Sequence, residues 1–354
     1  MLKIASSQQK LLAKLTDASG VSGDEGAVRE IVLKEIRPYA DEITVDALGS
    51  VLAVRRGSGK KRLRVMVAAH MDEVGFMLTY DDGKGIFRFG VVGGVDPRQL
   101  VGKPVWVGEE KIPGVIGSNP IHLTTAAERK RSISLDALRI DVGPKNAARV
   151  KVGDRAVFAT EYRRIGPSVR AKALDDRVGV CSLIELLKNT PPNIDLLAAF
   201  TVQEENGLRG ARVAAFSFDP DLALVLDCTP AKDFPAPEGE ENTRYNVRLD
   251  HGPAIYTADR ATLSDPRLIR HFVATAEAEN IPYQMRQPGG GGTDAGAIHK
   301  QRAGIPSLSI SVPARYLHTA ASIMRVADWQ NTLNLAHAGL SALPADILKQ
   351  ERAH

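Results

Sequence analysis

Histidine and acidic residues stand directly after three apolar stretches of this 354-residue chain. Each stretch is typical of a strand that is buried on both faces of a parallel sheet. Because ligands gather beyond the carboxyl ends of the strands in open α/β sheets, we expect these polar side chains to meet in one crevice. Mixed imidazole and carboxylate ligands suit Zn²⁺, Co²⁺ or Mn²⁺ better than Ca²⁺ or Mg²⁺. The stretches and the residues that follow them are 63–69 with His70, 196–203 with Glu204 and Glu205, and 222–226 with Asp227.

The spacing within two of these motifs suggests separate tasks for neighbouring side chains. His70 and Asp72 are two residues apart, so an extended chain places both on the same side. A metal-bound histidine usually has a carboxylate partner that orients its ring, and Asp72 is placed to be one. Glu204 and Glu205 are adjacent, so an extended chain turns them to opposite sides. One of them could therefore bind a metal ion while the other faces a substrate.

Two further motifs add candidate ligands from other parts of the chain. Asp175 and Asp176 precede a predicted helix, and one of them could cap it while the other faces a metal ion. His318 follows a fourth predicted strand by a few residues. Asp175, Glu205 and Asp227 would supply three negative charges, and a bridging hydroxide would supply a fourth. This total balances the charge of two divalent ions, so we expect a two-metal site.

The pattern of apolar residues changes along the chain and indicates two domains, which the chain length also favours. In one internal region, short β-like runs alternate with glycines, whereas helices and buried strands alternate before and after it. We predict a catalytic α/β metallopeptidase domain of residues 1–73 and 166–354. A β-rich domain of residues 74–165 is inserted between the two parts.

The first residues of the chain are predicted to be helical. Residues 1–20 have polar side chains every few positions and no continuous apolar core, which favours an amphipathic helix over a signal peptide. Helical spacing over residues 25–36 follows Ser22 and Asp24, which are plausible caps.

Composition argues against several classes of function. The net charge is +4, but no long run of lysine and arginine occurs, and aromatic residues make up only 5% of the chain. We therefore expect no nucleic-acid partner. No apolar run approaches the length of a membrane span, so no membrane association is expected. Cys181 and Cys228 both lie in apolar stretches and make no disulfide framework, which fits a cytoplasmic protein.

Taken together, the motifs resemble those of the M42 family of metalloaminopeptidases, of the glutamyl or tetrahedral aminopeptidase type, in the clan of co-catalytic zinc exopeptidases. The resemblance covers nearly the whole chain and rests on five segments that occur in the same order. Any one of them would be weak evidence, but the ordered set is specific. The segments are AHMDEVGF at 69–76, KALDDR at 172–177, VQEENGLRGA at 202–211, GTDAG at 292–296 and RYLH at 315–318.

The resemblance implies a fold, an activity and an assembly. The implied fold is α/β, with a mixed-sheet zinc-exopeptidase catalytic domain and an inserted β-rich domain, barrel-like or PDZ-like, that mediates dimerisation. The implied activity is that of a dinuclear-metal aminopeptidase, which hydrolyses N-terminal residues from short peptides with two divalent ions per chain. Zinc is expected, with cobalt or manganese as alternatives. Dimers are expected to build a hollow tetrahedral dodecamer.

The resemblance also implies a role for each candidate residue. Gly292, Thr293 and Asp294 could form a substrate-binding loop, although a flexible turn followed by a helix cap explains them equally well. The implied ligands are His70 and Asp227 for one ion and Glu205 and His318 for the other, and Asp175 would bridge the two ions. Asp72 would be the carboxylate partner that orients the His70 ring. Glu204 would be the general base.

Other functions fit parts of the pattern. A carboxypeptidase, or a deacylase or other amidohydrolase, could use the same metal core, and assays with free and blocked N-termini would separate them. A glycosidase needs two carboxylates but no metal ion. An assembly protein with a purely structural metal site would leave the spare carboxylate at Glu204 unexplained.

Overall fold

The computed structural model describes residues 1–235 and 247–352, in which a large mixed sheet carries helices on both faces beside a closed barrel. Among the helices in these ranges, none is both long and apolar enough to cross a membrane. The helices are α1 (Ser6–Asp17), α2 (Gly26–Ile36), α3 (Ala126–Arg129), α4 (Leu174–Lys188), α5 (Arg209–Phe218), α6 (Pro266–Ala278), α7 (Ala295–Ile298) and α8 (Val326–Ser341). The strands are β1 (Glu42–Val45), β2 (Val51–Arg56), β3 (Leu63–His70), β4 (Gly75–Gly83), β5 (Ile86–Val92), β6 (Pro104–Val107), β7 (Ile112–Gly117), β8 (Arg139–Asp141), β9 (Arg155–Phe158), β10 (Arg163–Ile165), β11 (Ser168–Ala171), β12 (Ile194–Thr201), β13 (Leu222–Pro230), β14 (Ala254–Tyr256), β15 (Gln284–Arg286), β16 (Ser307–Arg315) and β17 (Ser322–Arg325).

The centre of the large sheet contains the parallel strands that the apolar stretches predict. The strand order is β1-β2-β12-β3-β13-β16-β17-β11-β10, and β14 pairs with both β16 and β15. Within this order β12, β3, β13 and β16 run parallel to one another. The register pairs His70 with Thr201 and Asp227 with Ser311. The carboxyl ends of these strands therefore lie at the same edge of the sheet.

Alternate residues of β3 pack into two different apolar layers, which explains why residues 65–69 are all apolar. Val65, Val67 and Ala69 share a core with residues of α1, α2, α4 and α8. Met66 and Ala68 pack on the opposite face with residues of α5 and α7. Because the strand is close-packed on both faces, the residues at its carboxyl end have a rigid support.

The predicted β-rich region forms a closed barrel with an apolar core of its own. Its strand order is β4-β5-β8-β7-β6-β9, and β9 closes the barrel by pairing with β4. Phe76 packs edge-on against both Phe89 and Phe158, with ring centroids 5.2 Å apart in each pair. The predicted fold class, a mixed-sheet α/β domain that carries a β-rich barrel, is confirmed.

The boundary between the two domains stays a prediction. The barrel strands lie between Gly75 and Phe158. β10 falls inside the predicted insert of residues 74–165, yet it pairs with β11 in the large sheet. A boundary soon after Phe158 would keep β10 with the sheet to which it belongs.

Helix α2 begins in a different way from the sequence prediction. Its first residue is Gly26, and its N-cap residue Glu25 makes no capping hydrogen bond with its side chain. The Ser22 hydroxyl instead donates to Asp72 Oδ2 at 2.5 Å. The caps predicted at Ser22 and Asp24 are therefore wrong, because Glu25 is the residue that precedes the helix and the Ser22 hydroxyl donates to a buried carboxylate distant in sequence.

Candidate active site

The carboxyl ends of the central strands open into a cavity of about 900 Å³. The carboxyl ends of β3 and β13, the loops that follow β12 and β16, and the first turn of α4 supply its polar wall. Six of the predicted catalytic and metal-binding residues line it together, although they are far apart in the chain. They are His70, Asp175, Glu204, Glu205, Asp227 and His318.

One side of this polar wall is buried and centres on His70. The ring atom Nε2 lies 3.1 Å from Asp175 Oδ1 and 3.9 Å from Asp227 Oδ1. The other ring nitrogen, Nδ1, lies 3.2 Å from the backbone oxygen of Asp72, which fits an Nδ1–H donor. Only 3% of the His70 side chain is exposed. We call His70, Asp175 and Asp227 the buried side of the site.

The other side is more open and centres on His318. Its Nε2 lies 3.4 Å from Glu205 Oε1 and 3.5 Å from Asp175 Oδ2. Its Nδ1 lies 2.9 Å from the carbonyl oxygen of Gly94, which precedes barrel strand β6. The exposed fraction of the His318 side chain is 41%. We call Asp175, Glu205 and His318 the open side, and Asp175 faces both sides with one oxygen each.

The two adjacent aspartates have different surroundings. Asp176 Oδ1 accepts a hydrogen bond from the backbone N–H of Gly179 at 3.0 Å, as a helix cap does. Its Oδ2 accepts from the backbone N–H of His70 at 3.2 Å. Asp175 carries no such backbone bond among the described contacts and points to the two histidines. Asp176 therefore ties the start of α4 to β3, and Asp175 is free to bind an ion.

Asp72 connects the buried side to the two glutamates. It is fully buried. Its Oδ1 accepts from the backbone N–H of Glu204 at 3.0 Å and faces His70 Nδ1 at 3.4 Å. Its Oδ2 accepts from the backbone N–H of Glu205 at 3.1 Å and from Ser22. One carboxylate thus fixes the backbone of both glutamates relative to the His70 ring.

Glu204 differs from the ligand candidates because its carboxylate receives no hydrogen bond from the described residues. Its backbone is held by Asp72, but no described residue donates a hydrogen bond to its side-chain oxygens. Burial raises the pKa of Glu204 well above its usual value. The nearby charge of His70 opposes this effect, whereas the charges of Asp294 and Glu205 add to it. A carboxyl group of this kind readily takes up and holds a proton.

The electrostatics of the remaining candidates fit a divalent cation. Burial, together with the charge of Asp175, raises the pKa of Glu205 to about 7 and that of Asp227 well above its usual value. Burial opposes ionisation of His318, but its bond to Asp175 and the charge of Glu205 raise its pKa to about 10. The surplus of buried carboxylates attracts positive charge, and a metal ion supplies it without protonating the ligands.

The residues predicted to bind substrate occupy two different environments. Gly292 lines the cavity. Thr293 and Asp294 are each 1% exposed and lie beneath its wall. Asp294 Oδ2 accepts from the Thr201 hydroxyl at 2.5 Å, and Thr293 shares a hydrogen bond of 2.7 Å with Ser309. Their assignment to substrate binding stays a prediction, and their burial favours a role in supporting the wall.

The cavity also contains residues that the sequence motifs did not indicate. They lie on loops, on the short strands β14 and β15 or within the apolar strand β13, and no local pattern of residue types distinguishes them. Cys228 is one, but its thiol lies 3.4 Å from the Leu174 carbonyl, and burial raises its pKa well above the usual value. A neutral thiol is a poor metal ligand. The others include Tyr256, Arg260, Arg286 and Lys300.

Comparison with known proteins assigns the chain to a family. A family model described as M42 glutamyl aminopeptidase matches residues 49–335. The chain belongs to the M42 family. A lysyl aminopeptidase of Pyrococcus furiosus is 33% identical over 351 residues, which span 96% of this chain and 98% of that protein. The predicted family and enzyme class, a metal-dependent aminopeptidase, are confirmed, and the alternative of a carboxypeptidase or deacylase is not favoured.

Solved structures of other M42 enzymes have the same fold. The TET aminopeptidase of a marine-sediment Thaumarchaeota archaeon matches with a TM-score of 0.91 and 34% identity, over 97% of this chain and 98% of that one. The TET1 peptidase of Pyrococcus horikoshii matches with a TM-score of 0.82 and 33% identity, over 95% of this chain and 100% of that one. That peptidase assembles into a tetrahedron or a large octahedral shell.

Proposed function

We propose that this M42 enzyme is a dinuclear-metal aminopeptidase that removes single N-terminal residues from short peptides. The observation that supports two ions is the position of Asp175, which presents Oδ1 to His70 and Oδ2 to His318. The buried and open sides each bring three possible ligand atoms within 4.8 Å of one another. Zinc fits this set of nitrogen and oxygen donors, and cobalt or manganese would fit it too.

The ligand roles follow from the same geometry. His70 and Asp227 would hold one ion, Glu205 and His318 the other, and Asp175 would bridge them. Asp72 would orient His70 without binding an ion, because its oxygens are occupied by Ser22 and by the backbone of the two glutamates.

Glu204 is the residue we assign to proton transfer. When bound, the ions supply Lewis-acid chemistry, which acidifies a water molecule and polarises the scissile carbonyl. Glu204 accepts the proton of the attacking water and passes it to the leaving amine. Its raised pKa favours keeping that proton until the amine departs. Asp72 supports this step by holding the Glu204 backbone in place.

The charge distribution of the cavity favours a free N-terminus at one end and an acidic side chain at the other. The acidic ligand wall attracts the positive charge of a substrate ammonium group. Beyond that wall, the charged residues among the described lining are the cations Arg260, Arg286 and Lys300. Arg286 already has partners within the protein, because it donates to the Gly290 carbonyl at 3.0 Å and its guanidinium lies over the Tyr256 ring. Arg260 and Lys300 are exposed on the wall and favour an acidic N-terminal residue.

We also propose that the barrel mediates assembly into dimers and a tetrahedral dodecamer. The similarity to the P. horikoshii TET1 peptidase supports this proposal. So does the exposure of Ile121 and Leu123, whose exposed fractions are 71% and 68% on a barrel connection. Light scattering should give the mass of twelve chains, and a fully active monomer would contradict the proposal. The buried free thiols of Cys181 and Cys228 fit a reducing compartment, and we place the enzyme in the cytoplasm.

A panel of p-nitroanilide substrates tests the proposed activity. Glutamyl, glutaminyl, leucyl and lysyl substrates, each free and N-acetylated, are assayed before chelation, after it, and after adding back Zn²⁺, Co²⁺ or Mn²⁺. We expect cleavage of free substrates alone, loss on chelation, and a glutamyl rate at least about tenfold above the glutaminyl rate. Hydrolysis of acetylated substrates would instead indicate a deacylase, and activity that survives complete metal removal would exclude the proposed chemistry.

A further inference from the structure

Three buried charged residues form a cluster beside the metal centre. The Glu73 carboxylate accepts hydrogen bonds from Lys172 Nζ at 2.6 and 2.8 Å. It also accepts one from Arg177 Nη2 at 3.1 Å. Each of the three residues is at most 2% exposed. We call them the Glu73 cluster, in which one carboxylate faces two cations.

Stability alone does not explain the Glu73 cluster. Burying ions costs solvation free energy, and replacing a buried ion pair by apolar residues of similar size is often neutral or stabilising. The location of the Glu73 cluster suggests another role. Glu73 lies three residues after His70, whereas Lys172 and Arg177 flank Asp175. The cluster therefore joins the two turns that bring His70 and Asp175 to within 3.1 Å of each other.

Both cations of the cluster also bind a segment of residues 15–25, which we call the N-terminal brace. Lys172 Nζ donates to the Ala18 carbonyl at 2.8 Å. The backbone N–H of Glu73 donates to the Gly20 carbonyl at 2.9 Å. Arg177 adds hydrogen bonds to the carbonyls of Leu15, Ala18 and Gly20.

The brace reaches the turn that carries the two glutamates as well. Ser22 donates to Asp72 Oδ2 at 2.5 Å, and Asp72 in turn holds the backbone of Glu204. Glu25 Oε1 accepts from the backbone N–H of Gln203 at 3.2 Å. The brace thus contacts three turns that carry predicted active-site residues, although it supplies no predicted ligand itself.

We propose that Lys172 is a positioning residue for the metal centre, an inference that rests on the metal site proposed above. It anchors the turn before Asp175 to Glu73 and to the brace at once, and so fixes the distance between His70 and Asp175 before an ion binds. Ligands that are held in place lose less conformational freedom on binding, so their affinity for the ion is higher. Loss of a residue that orients metal ligands typically costs about 10–100-fold in affinity.

Replacing Lys172 by methionine separates positioning from electrostatics. If the cluster acted only through its charge, removing a buried cation would make the site more negative and would strengthen the binding of a metal ion. If Lys172 positions the turns, the same substitution weakens binding in spite of that charge change. Glu73 stays paired with Arg177 in the variant, so no isolated buried charge is created.

The experiment titrates Co²⁺ into chelator-treated full-length wild type and Lys172→Met, with visible absorption and a competing chelator as readouts. Thermal unfolding of the metal-free proteins is measured in parallel. Arg267→Met is the matched control, because Arg267 is a buried cation that is paired with Asp265 at 2.9 Å and does not line the cavity. We expect Lys172→Met to weaken Co²⁺ binding about 10–100-fold, and the control to stay within about twofold of wild type.

Equal or tighter Co²⁺ binding by folded Lys172→Met would overturn the inference and leave the proposed function intact. Wild type that binds no Co²⁺ would instead contradict the proposed metal site itself. Should Lys172→Met fail to fold, Lys172→Gln decides, because it removes the same charge while its shorter side chain leaves a polar group in the cluster. Weaker Co²⁺ binding by Lys172→Gln supports positioning by Lys172, and equal or tighter binding contradicts it.

Discussion

The two sides of the proposed metal centre present the same kinds of possible ligand atom on very different supports. On the buried side, His70 ends a strand that is packed on both faces, and Asp72 contacts its ring and the turn beside it. On the open side, His318 lies on a loop, and the described support of its ring is the Gly94 carbonyl. The exposed fractions of the two histidine side chains are 3% and 41%.

This difference suggests that the two sides have separate tasks. A ligand on a rigid strand end keeps its ion while substrates come and go. A ligand on an exposed loop can adjust as a substrate enters, because such loops come from the less stable parts of a fold. The open side also depends on the barrel, since Gly94 lies in the connection between β5 and β6. The barrel therefore contributes to the geometry of the site as well as to the proposed assembly.

The largest effect should come from the residue that both sides share. Asp175→Ala removes an oxygen from each side, so we expect loss of both ions and a fall in activity of at least about 10³-fold. Asp227→Ala is the matched control. Asp227 belongs to the buried side alone, so its replacement should cause the loss of only one ion. Metal analysis of the purified variants provides the measurement. Two ions retained by Asp175→Ala would mean that another residue, such as Asp176, forms the bridge.

Removing one histidine at a time tests the difference between the sides. We expect His318→Ala to keep one tightly bound ion, and His70→Ala to lose that tight site, with affinity reduced at least about tenfold. In wild type, stepwise dialysis against a chelator should release one ion before the other. Simultaneous release of both ions, or equal losses in the two variants, would show that the difference in exposure has no consequence for binding.

The smallest effect should appear in the stability of the metal-free protein. In the folded chain the pKa of Glu205 is raised to about 7 and that of Asp294 to about 6, mainly by burial. Both groups bind a proton more tightly when folded, so the free energy of unfolding falls as pH rises from about 4 to about 7. The raised pKa of His318 extends the decline above neutrality.

We therefore expect the melting temperature of the metal-free protein to fall by at least about 2 °C between about pH 5 and pH 8. The metal-loaded protein should not show this fall, because metal ions compete with protons for the same ligands. Calorimetry of both forms across this range is the measurement. A metal-free protein that becomes more stable towards pH 8 would contradict the assigned burial of these carboxyl groups.

The convergence of the candidate ligands on one cavity could be predicted because they stand at the ends of strands that are buried on both faces. Such strands have a recognisable apolar run, and parallel topology brings their carboxyl ends together. Residue spacing alone could not decide between Asp175 and Asp176, since both stand at the start of the predicted helix, and the preference for Asp175 came from the family resemblance. The decision depends on the backbone N–H groups of Gly179 and His70, and the second of these is distant in sequence.

Supporting contacts were harder to predict because they join segments that have no shared local pattern. Ser22 was expected to cap a helix, yet its hydroxyl binds Asp72, which is 50 residues away. Gly94 orients His318 through a backbone carbonyl across 224 residues. Every residue has a backbone carbonyl, so the residue type does not show which carbonyl will accept a hydrogen bond. The β-rich character of the insert was predictable from its composition, whereas its closure into a barrel depends on the pairing of β4 with β9.

The most direct test of the central claim is Glu204→Gln with its metal content measured in the same sample. Glu204 lines the cavity and receives no hydrogen bond on its carboxylate from the described residues, so the substitution should leave fold and ligands intact. We predict that two ions per chain remain bound, while kcat on a free aminoacyl p-nitroanilide falls about 10²–10⁴-fold, as expected for loss of a general base. Turnover close to that of wild type in the metal-replete variant would contradict the account.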